Sequence, residues 1–196
     1  MEFLKYIRSN ISNLIFILFI AVIFFSIDAR TMLIRGIMFT GLFNAEASAD
    51  TEKSASNRMI PAGMTFRSED GQLIDLSKNK GKVYFLNFWA TWCPPCRAEM
   101  PSINALASKI KNKDKIEFIM IDVDNKIEAS VKYMKKHSYN LKVYTSETPI
   151  PVQIFNGTLP TTMIIGPDGS IVFHHTGMAN YNNMKMINFL NTKAAD

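Results

Sequence analysis

The chain has 196 residues, 47% of them apolar and 20% charged, with two cysteines and a formal net charge of +5. An apolar N-terminus that cannot join a soluble core leaves roughly 135 residues, enough for one domain and not for two. From Arg58 onward there are 17 basic and 12 acidic residues. The densest lysines, Lys109, Lys111, Lys113 and Lys115, enclose Asp114 at an expected helix end and have no aromatic residues among them, so nucleic acid is not an expected partner.

Residues 1–10 form a short tail carrying Lys5 and Arg8, and residues 11–27 (ISNLIFILFIAVIFFSI) carry no charge. Seventeen such residues are at the short end of what spans a bilayer. The A-x-A-like sites at residues 45–47 and 47–49 lie too far beyond the apolar run for ordinary leader cleavage, which favours a retained anchor. Its flanks tie in charge, Lys5 and Arg8 against Arg30 and Arg35, so the positive-inside rule does not set the orientation. Met32, Leu33, Ile34, Ile37, Met38, Phe39, Leu42 and Phe43 then surround Arg30 and Arg35. This pattern suits either a helix lying in the membrane interface or an extension of the span. We therefore assign residues 11–43 to an anchor and juxtamembrane segment. Residues 44–60 follow as a linker; their stretch NAEASADTEKSASN is small and polar and reads as a flexible tether.

The domain is expected over residues 61–196. Residues 64–66 and 73–76, joined by the turn Glu69, Asp70, Gly71, read as a β-hairpin. Residues 82–88 form the next strand and run directly into Cys93-Pro94-Pro95-Cys96. Beyond the cysteines, Ile103, Leu106, Ala107 and Ile110 recur at helical spacing, and Pro101 inside this helix predicts a kink. Residues 116–123 read as a buried strand, 127–137 as a helix, and 142–145 as a short strand at or near an edge. Residues 163–166 and 170–175 form a second hairpin about Pro167-Asp168-Gly169. A helix over 181–190, with Met184, Ile187 and Leu190 inward, closes the chain. Strands alternating with helices imply an α/β domain, a central mixed sheet with helices on its faces.

The chemistry lies at the strand-to-helix turn. Two thiols spaced C-x-x-C at a helix start can close a disulfide across one turn, and the first then faces unpaired backbone N–H groups and the positive end of the helix dipole. Both favour thiolate, which makes Cys93 a nucleophile at neutral pH. A structural zinc site would need four ligands, and His137, His174 and His175 do not stand at finger spacing from the pair. A purely structural disulfide closing so short a loop would restrict the unfolded chain little. His174 and His175 fall on opposite faces of a strand, and His137 reads as a helix cap or surface residue. Twelve methionines in apolar periodic positions read as packing. No cofactor beyond the redox-active Cys93–Cys96 pair is expected.

Trp92-Cys93-Pro94-Pro95-Cys96, with Phe88-Trp89-Ala90 before it and Pro101 after it, resembles the TlpA/ResA-like membrane-anchored thiol-disulfide oxidoreductases of the thioredoxin superfamily. The resemblance covers about residues 61–193. It implies a thioredoxin-like fold and a catalytic set of Cys93, Cys96, Glu99 and Pro160. Pro160 stands where such proteins carry a cis-proline opposite the cysteines; a trans-proline opening an edge strand is the alternative. Glu99, one turn beyond Cys96, matches by position a glutamate that influences cysteine ionisation in ResA-like members; an ordinary first-turn glutamate is the alternative. Asn87 departs from thioredoxin, which has a buried aspartate at this strand position. An amide cannot act as a base, which leaves Glu99 as the better proton acceptor. Trp92, Pro94, Pro95 and Leu159 are the expected substrate contacts, Leu159 through its backbone. Trp89 either walls the cysteines with Trp92 or belongs to the core.

The resemblance further implies a single-pass protein of the bacterial cytoplasmic membrane with its domain facing the extracytoplasmic side or periplasm. It would reduce protein disulfides there, apocytochrome c among the possible substrates, and be recharged by a membrane thiol-electron donor of the DsbD/CcdA type. Pro94-Pro95 does not decide between a reductase and an oxidase or isomerase. A peroxidase would want P-x-x-x-T-x-x-C, but Thr91 stands two residues before Cys93. A copper carrier of the Sco type would want C-x-x-x-C and a partnered histidine.

Overall fold

The computed structural model describes residues 2–38, 40, 41, 43–45, 58–78 and 81–195. The tether expected over residues 44–57 lies outside these, apart from Asn44 and Ala45. One mixed sheet of seven strands organises the domain: β1 (Thr65–Ser68), β2 (Leu73–Asp75), β3 (Val83–Trp89), β4 (Ile116–Asp122), β5 (Val143–Ser146), β6 (Thr161–Ile165) and β7 (Ile171–Thr176). Their order is β2-β1-β5-β4-β3-β6-β7. The pairs β3/β4 and β4/β5 are parallel and all others are antiparallel. Helices α3 (Pro94–Lys109), α4 (Ile127–Lys136) and α5 (Met184–Lys193) accompany the sheet.

The interior strand β3, between β4 and β6, is buried at all seven positions, as a strand walled on both faces must be. Alternation divides it. Val83, Phe85 and Trp89 join the cluster that holds Cys96, Met100 and Ile103 of α3 and Met186, Ile187 and Leu190 of α5. Tyr84, Leu86 and Phe88 join Phe66, Leu76, Ile119 and Met163 on the other side. Asn87 has the parity of Phe85 and Trp89, so the one polar side chain of this strand points to the α3 side.

The N-terminal hairpin forms about Gly71, whose φ of 84° suits a residue without Cβ. Because β1 pairs with β5 as well as β2, β5 is third from the edge, further inside than its short, polar sequence suggests. The helix through Pro101 runs as a single element to Lys109. The last helix begins three residues later than expected, because Asn183 is extended and its side chain accepts from the Met186 N–H as an N-cap. That shift changes its inward face: Met186, Ile187 and Leu190 are buried, while Met184 is 67% exposed.

At the N-terminus, α1 (Glu2–Phe25) and α2 (Ile27–Met38) are separate helices meeting at 93°. Ser26 makes the break, its hydroxyl accepting from the Ala29 N–H as a cap for α2. Among the described residues no single helix is long and apolar enough to cross a membrane. Residues 10–25 of α1 and the whole of α2 pass that test of length and composition together, as a bent pair.

Candidate active site

Cys93 is the N-cap of α3, with extended backbone (φ −86°, ψ 105°), and Pro94 and Pro95 open the helix where an N–H would have no partner anyway. Cys93 and Cys96 are joined as a disulfide with Cα atoms 5.3 Å apart. The Cys96 N–H donates to Cys93 Sγ at 3.2 Å. Cys93 keeps 3% of its surface accessible and Cys96 none, so the outer sulfur is Cys93.

Glu99 lies one turn further along α3, on its buried stripe of Cys96, Glu99, Met100, Ile103 and Leu106. Its side chain is sealed from solvent and has two donors: Asn87 Nδ2 to Oε1 at 2.7 Å, and the Ala179 N–H to Oε2 at 3.2 Å. Burial outweighs both bonds and pushes the carboxyl up to about 8. Glu99 therefore holds a proton at neutral pH. Asn87 Nδ2 also donates to Thr162 Oγ1 at 2.9 Å, and Asn87 Oδ1 has no hydrogen-bond partner among the described residues. Turning that amide over would offer Oδ1 to the protonated Glu99 as an acceptor. Tyr181 is buried in the same cluster, and burial, together with the charge of Glu99, holds its phenol well above the ordinary range. Glu99 is thus far from an ordinary first-turn surface glutamate.

The Leu159–Pro160 peptide bond is cis. Thr161 pairs with Phe88, so Pro160 stands one residue beyond that pair, alongside the end of β3 from which the cysteine turn emerges. Leu159 packs against the cluster that contains both cysteines. The two tryptophans part company. Trp89 is fully buried, its ring 5.4 Å from that of Tyr133, whereas Trp92 is 54% exposed and donates from Nε1 to Asp124 Oδ2 at 2.6 Å. Trp89 is core, and Trp92 alone stands at the surface beside Cys93.

A family model described as Redoxin matches residues 54–187. The chain belongs to the redoxin family. It is 35% identical over 125 residues to the thiol-disulfide oxidoreductase ResA of Bacillus cereus (strain ZK / E33L), covering 63% of this chain and 71% of that protein. Against ResA of Bacillus subtilis (strain 168) the identity is 29% over 141 residues, covering 71% and 75%. Among solved structures, a thioredoxin-family thiol:disulfide interchange protein from Chlorobium tepidum TLS superposes with a TM-score of 0.54 at 27% identity, over 68% of this chain and 97% of that one. StoA from Bacillus subtilis has a TM-score of 0.53 at 20% identity, over 67% and 99%, and shares the fold. This redoxin is thus a ResA-like thiol-disulfide oxidoreductase with a thioredoxin-like α/β fold.

Sequence reasoning missed three polar residues of the redoxin site. Asn87 was weighed only as an absent base, although its parity with Trp89 on a buried strand places it facing α3. Thr162 and Tyr181 complete the buried cluster around Glu99, and neither gave a sequence signal. His137 does cap α4, and its half-buried ring clusters with those of Tyr133 and Tyr139, with centroids 4.5 and 5.5 Å away.

Proposed function

We propose that this ResA-like enzyme works as a reductase of protein disulfides on the extracytoplasmic side of the bacterial cytoplasmic membrane. The N-terminal helices would anchor it there. Apocytochrome c is one candidate substrate, and a membrane thiol-electron donor of the DsbD/CcdA type is the candidate source of electrons. The observation that carries the reading is the Cys93–Cys96 disulfide at the N-cap of α3 with a proton-bearing Glu99 buried one turn behind it.

In the reduced enzyme the Cys96 N–H and the start of α3 favour a Cys93 thiolate. Cys93 attacks one sulfur of the substrate disulfide, forming a mixed disulfide and releasing the other sulfur as a thiolate. Cys96 then gives up its proton, with Glu99 as acceptor or relay once ionised, and attacks Cys93 Sγ. The mixed disulfide breaks, the substrate leaves with both sulfurs reduced, and two electrons have left the enzyme. An external dithiol must then reopen Cys93–Cys96 by the same exchange in reverse. Trp92, Pro94 and Pro95 would meet the substrate around the outer sulfur, and Leu159, ahead of Pro160, would hold its backbone in extended form.

Two measurements test this. Cys96→Ser should trap a mixed disulfide through Cys93, and Cys93→Ser should trap none; trapping through Cys96 would reverse the roles. The reduction potential of the pair, equilibrated against glutathione or dithiothreitol buffers, sets the direction. A value near or below about −230 mV supports a reductase, while one near about −120 mV means that the same residues make disulfides.

A further inference from the structure

The helix α2 has two faces with different company. Its inward face, with Thr31, Ile34, Arg35 and Met38, meets the domain at the first turns of α3. Arg35 Nη2 donates to the Arg97 carbonyl oxygen at 2.9 Å and to Tyr139 Oη at 3.2 Å. That carbonyl is available for a reason written in the sequence: its helical partner would be the N–H of residue 101, and residue 101 is proline. Asp28 pairs with the Arg97 guanidinium, which also lies 5.1 Å from the centre of the Tyr133 ring. Residues 43–45 continue the contact. The Asn180 N–H donates to the Phe43 carbonyl, the Ala45 N–H to the Asn180 carbonyl at 3.0 Å, and Asn183 Nδ2 to the Ala45 carbonyl at 3.0 Å. The gripped residue, Arg97, directly follows Cys96.

The outward face is apolar and uncovered: Met32 is 72% exposed, Leu33 53%, and Ile37 also faces out. The neighbouring helix α1 likewise leaves Phe16, Leu18, Phe24 and Phe25 exposed. With α1 inserted into one leaflet along a bilayer normal, the 93° turn would lay α2 in the plane of the interface, with Arg30 exposed beside it.

We propose that α2 is a two-faced adaptor: its Met32, Leu33 and Ile37 face rests on a lipid surface while Asp28 and Arg35 grip Arg97, so the redox helix is seated against the membrane. This rests on the reading of α1 as an anchor. A seated domain offers Cys93 at a fixed height, suited to partners whose reactive sulfurs lie at the membrane surface. The grip is also releasable. Arg35 Nε, Arg97 Nε, Tyr133 Oη and His137 Nε2 are buried in and around this contact without a hydrogen-bond partner among the described residues, and lifting α2 away would return them to water.

The full chain is reconstituted into vesicles of phosphatidylcholine and phosphatidylglycerol containing a dansyl-headgroup lipid, and energy transfer from Trp89 and Trp92 to the dansyl group is read. Wild type should transfer efficiently. Asp28→Asn/Arg35→Met should transfer at least threefold less while still reducing a small soluble disulfide at the wild-type rate. Asp28→Asn alone should fall between the two, and it carries the test should the double variant lose that activity. Equal transfer from wild type and both variants would overturn the proposal. Failure of the anchor reading shows separately, as loss of co-flotation with the vesicles, and failure of the oxidoreductase reading shows as no exchange by wild type.

Discussion

Among the described residues two acidic side chains, Asp122 and Glu99, are sealed inside this domain, and their surroundings differ. Asp122, the last residue of β4, accepts from the Asp124 N–H, the Lys126 N–H and the Ser130 hydroxyl at 2.9–3.0 Å. These donors tie the turn after β4 to the start of α4, so both oxygens are employed in closing a loop. Glu99 has one donor for each oxygen, Asn87 and the Ala179 N–H, and sits in a cluster with Thr162 and Tyr181. Supplied with fewer partners and denied water, it keeps its proton to about pH 8. A buried acid with enough donors closes a loop of the fold, whereas one left short of them keeps its proton.

The largest effect expected from breaking this comparison is on stability, at Asp122. Asp122→Ala leaves the buried Ser130 hydroxyl and two part-buried backbone N–H groups without their acceptor, which costs about 2–4 kcal/mol. Urea unfolding should show the loss as a lower midpoint. The protein that remains folded should exchange thiols at close to the wild-type rate, because Asp122 touches neither sulfur nor Glu99. A large fall in the rate of folded protein would place Asp122 in the chemistry.

Glu99→Gln should act in the opposite sense on stability. Unfolded, the Glu99 carboxyl releases its proton near the ordinary 4.5; folded, it holds it to about 8. Between those values the unfolded chain binds fewer protons than the folded one, so wild-type stability is full below pH 4.5 and falls as pH rises towards 8. The amide mimics the neutral acid and can donate to Asn87 Oδ1, so the variant should lose this dependence. By pH 8 it should be the more stable protein by a few kcal/mol. Its resolution step, without a proton acceptor behind Cys96, should slow about 100-fold. Parallel stability curves for the two proteins from pH 5 to 8 would show that Glu99 is not protonated in the fold.

The reasons for these roles were unevenly legible in the sequence. The order of elements, the C-x-x-C at a strand-to-helix turn and the proline before β6 could all be read, because local patterns and punctuating residues fix them. Burial of Glu99 was half legible: it falls on the stripe of Cys96, Met100 and Ile103, a spacing of three and four that already places it inward. Its hydrogen bonds were not, since Asn87 and Ala179 are 12 and 80 residues away in the chain and meet it only through tertiary packing. The start of α5 was misjudged because the apolar period extends to Tyr181, while the Asn183 cap overrides it. Arg35 gave no sign of its contact, because Pro101 was read as a kink rather than as the source of a free carbonyl on Arg97.

The smallest effect sharpens the comparison at its rim. Asp124 shares the turn with Asp122, yet its Oδ2 is spent on a surface bond to Trp92 Nε1. Trp92→Phe removes that donor and keeps an aromatic face beside Cys93. The freed Asp124 oxygen can turn to water, so stability should change by no more than about 0.5 kcal/mol. The effect belongs instead to substrate: an indole pinned through Asp124 presents a fixed flat surface, while a phenyl ring is free to rotate. KM for a protein disulfide should rise two- to threefold with kcat unchanged, and reduction of a small disulfide such as oxidised dithiothreitol, which needs no such surface, should not change. An equal loss on both substrates would mean that the bond between Trp92 and Asp124 acts on the cysteines themselves, and that this turn serves chemistry as well as structure.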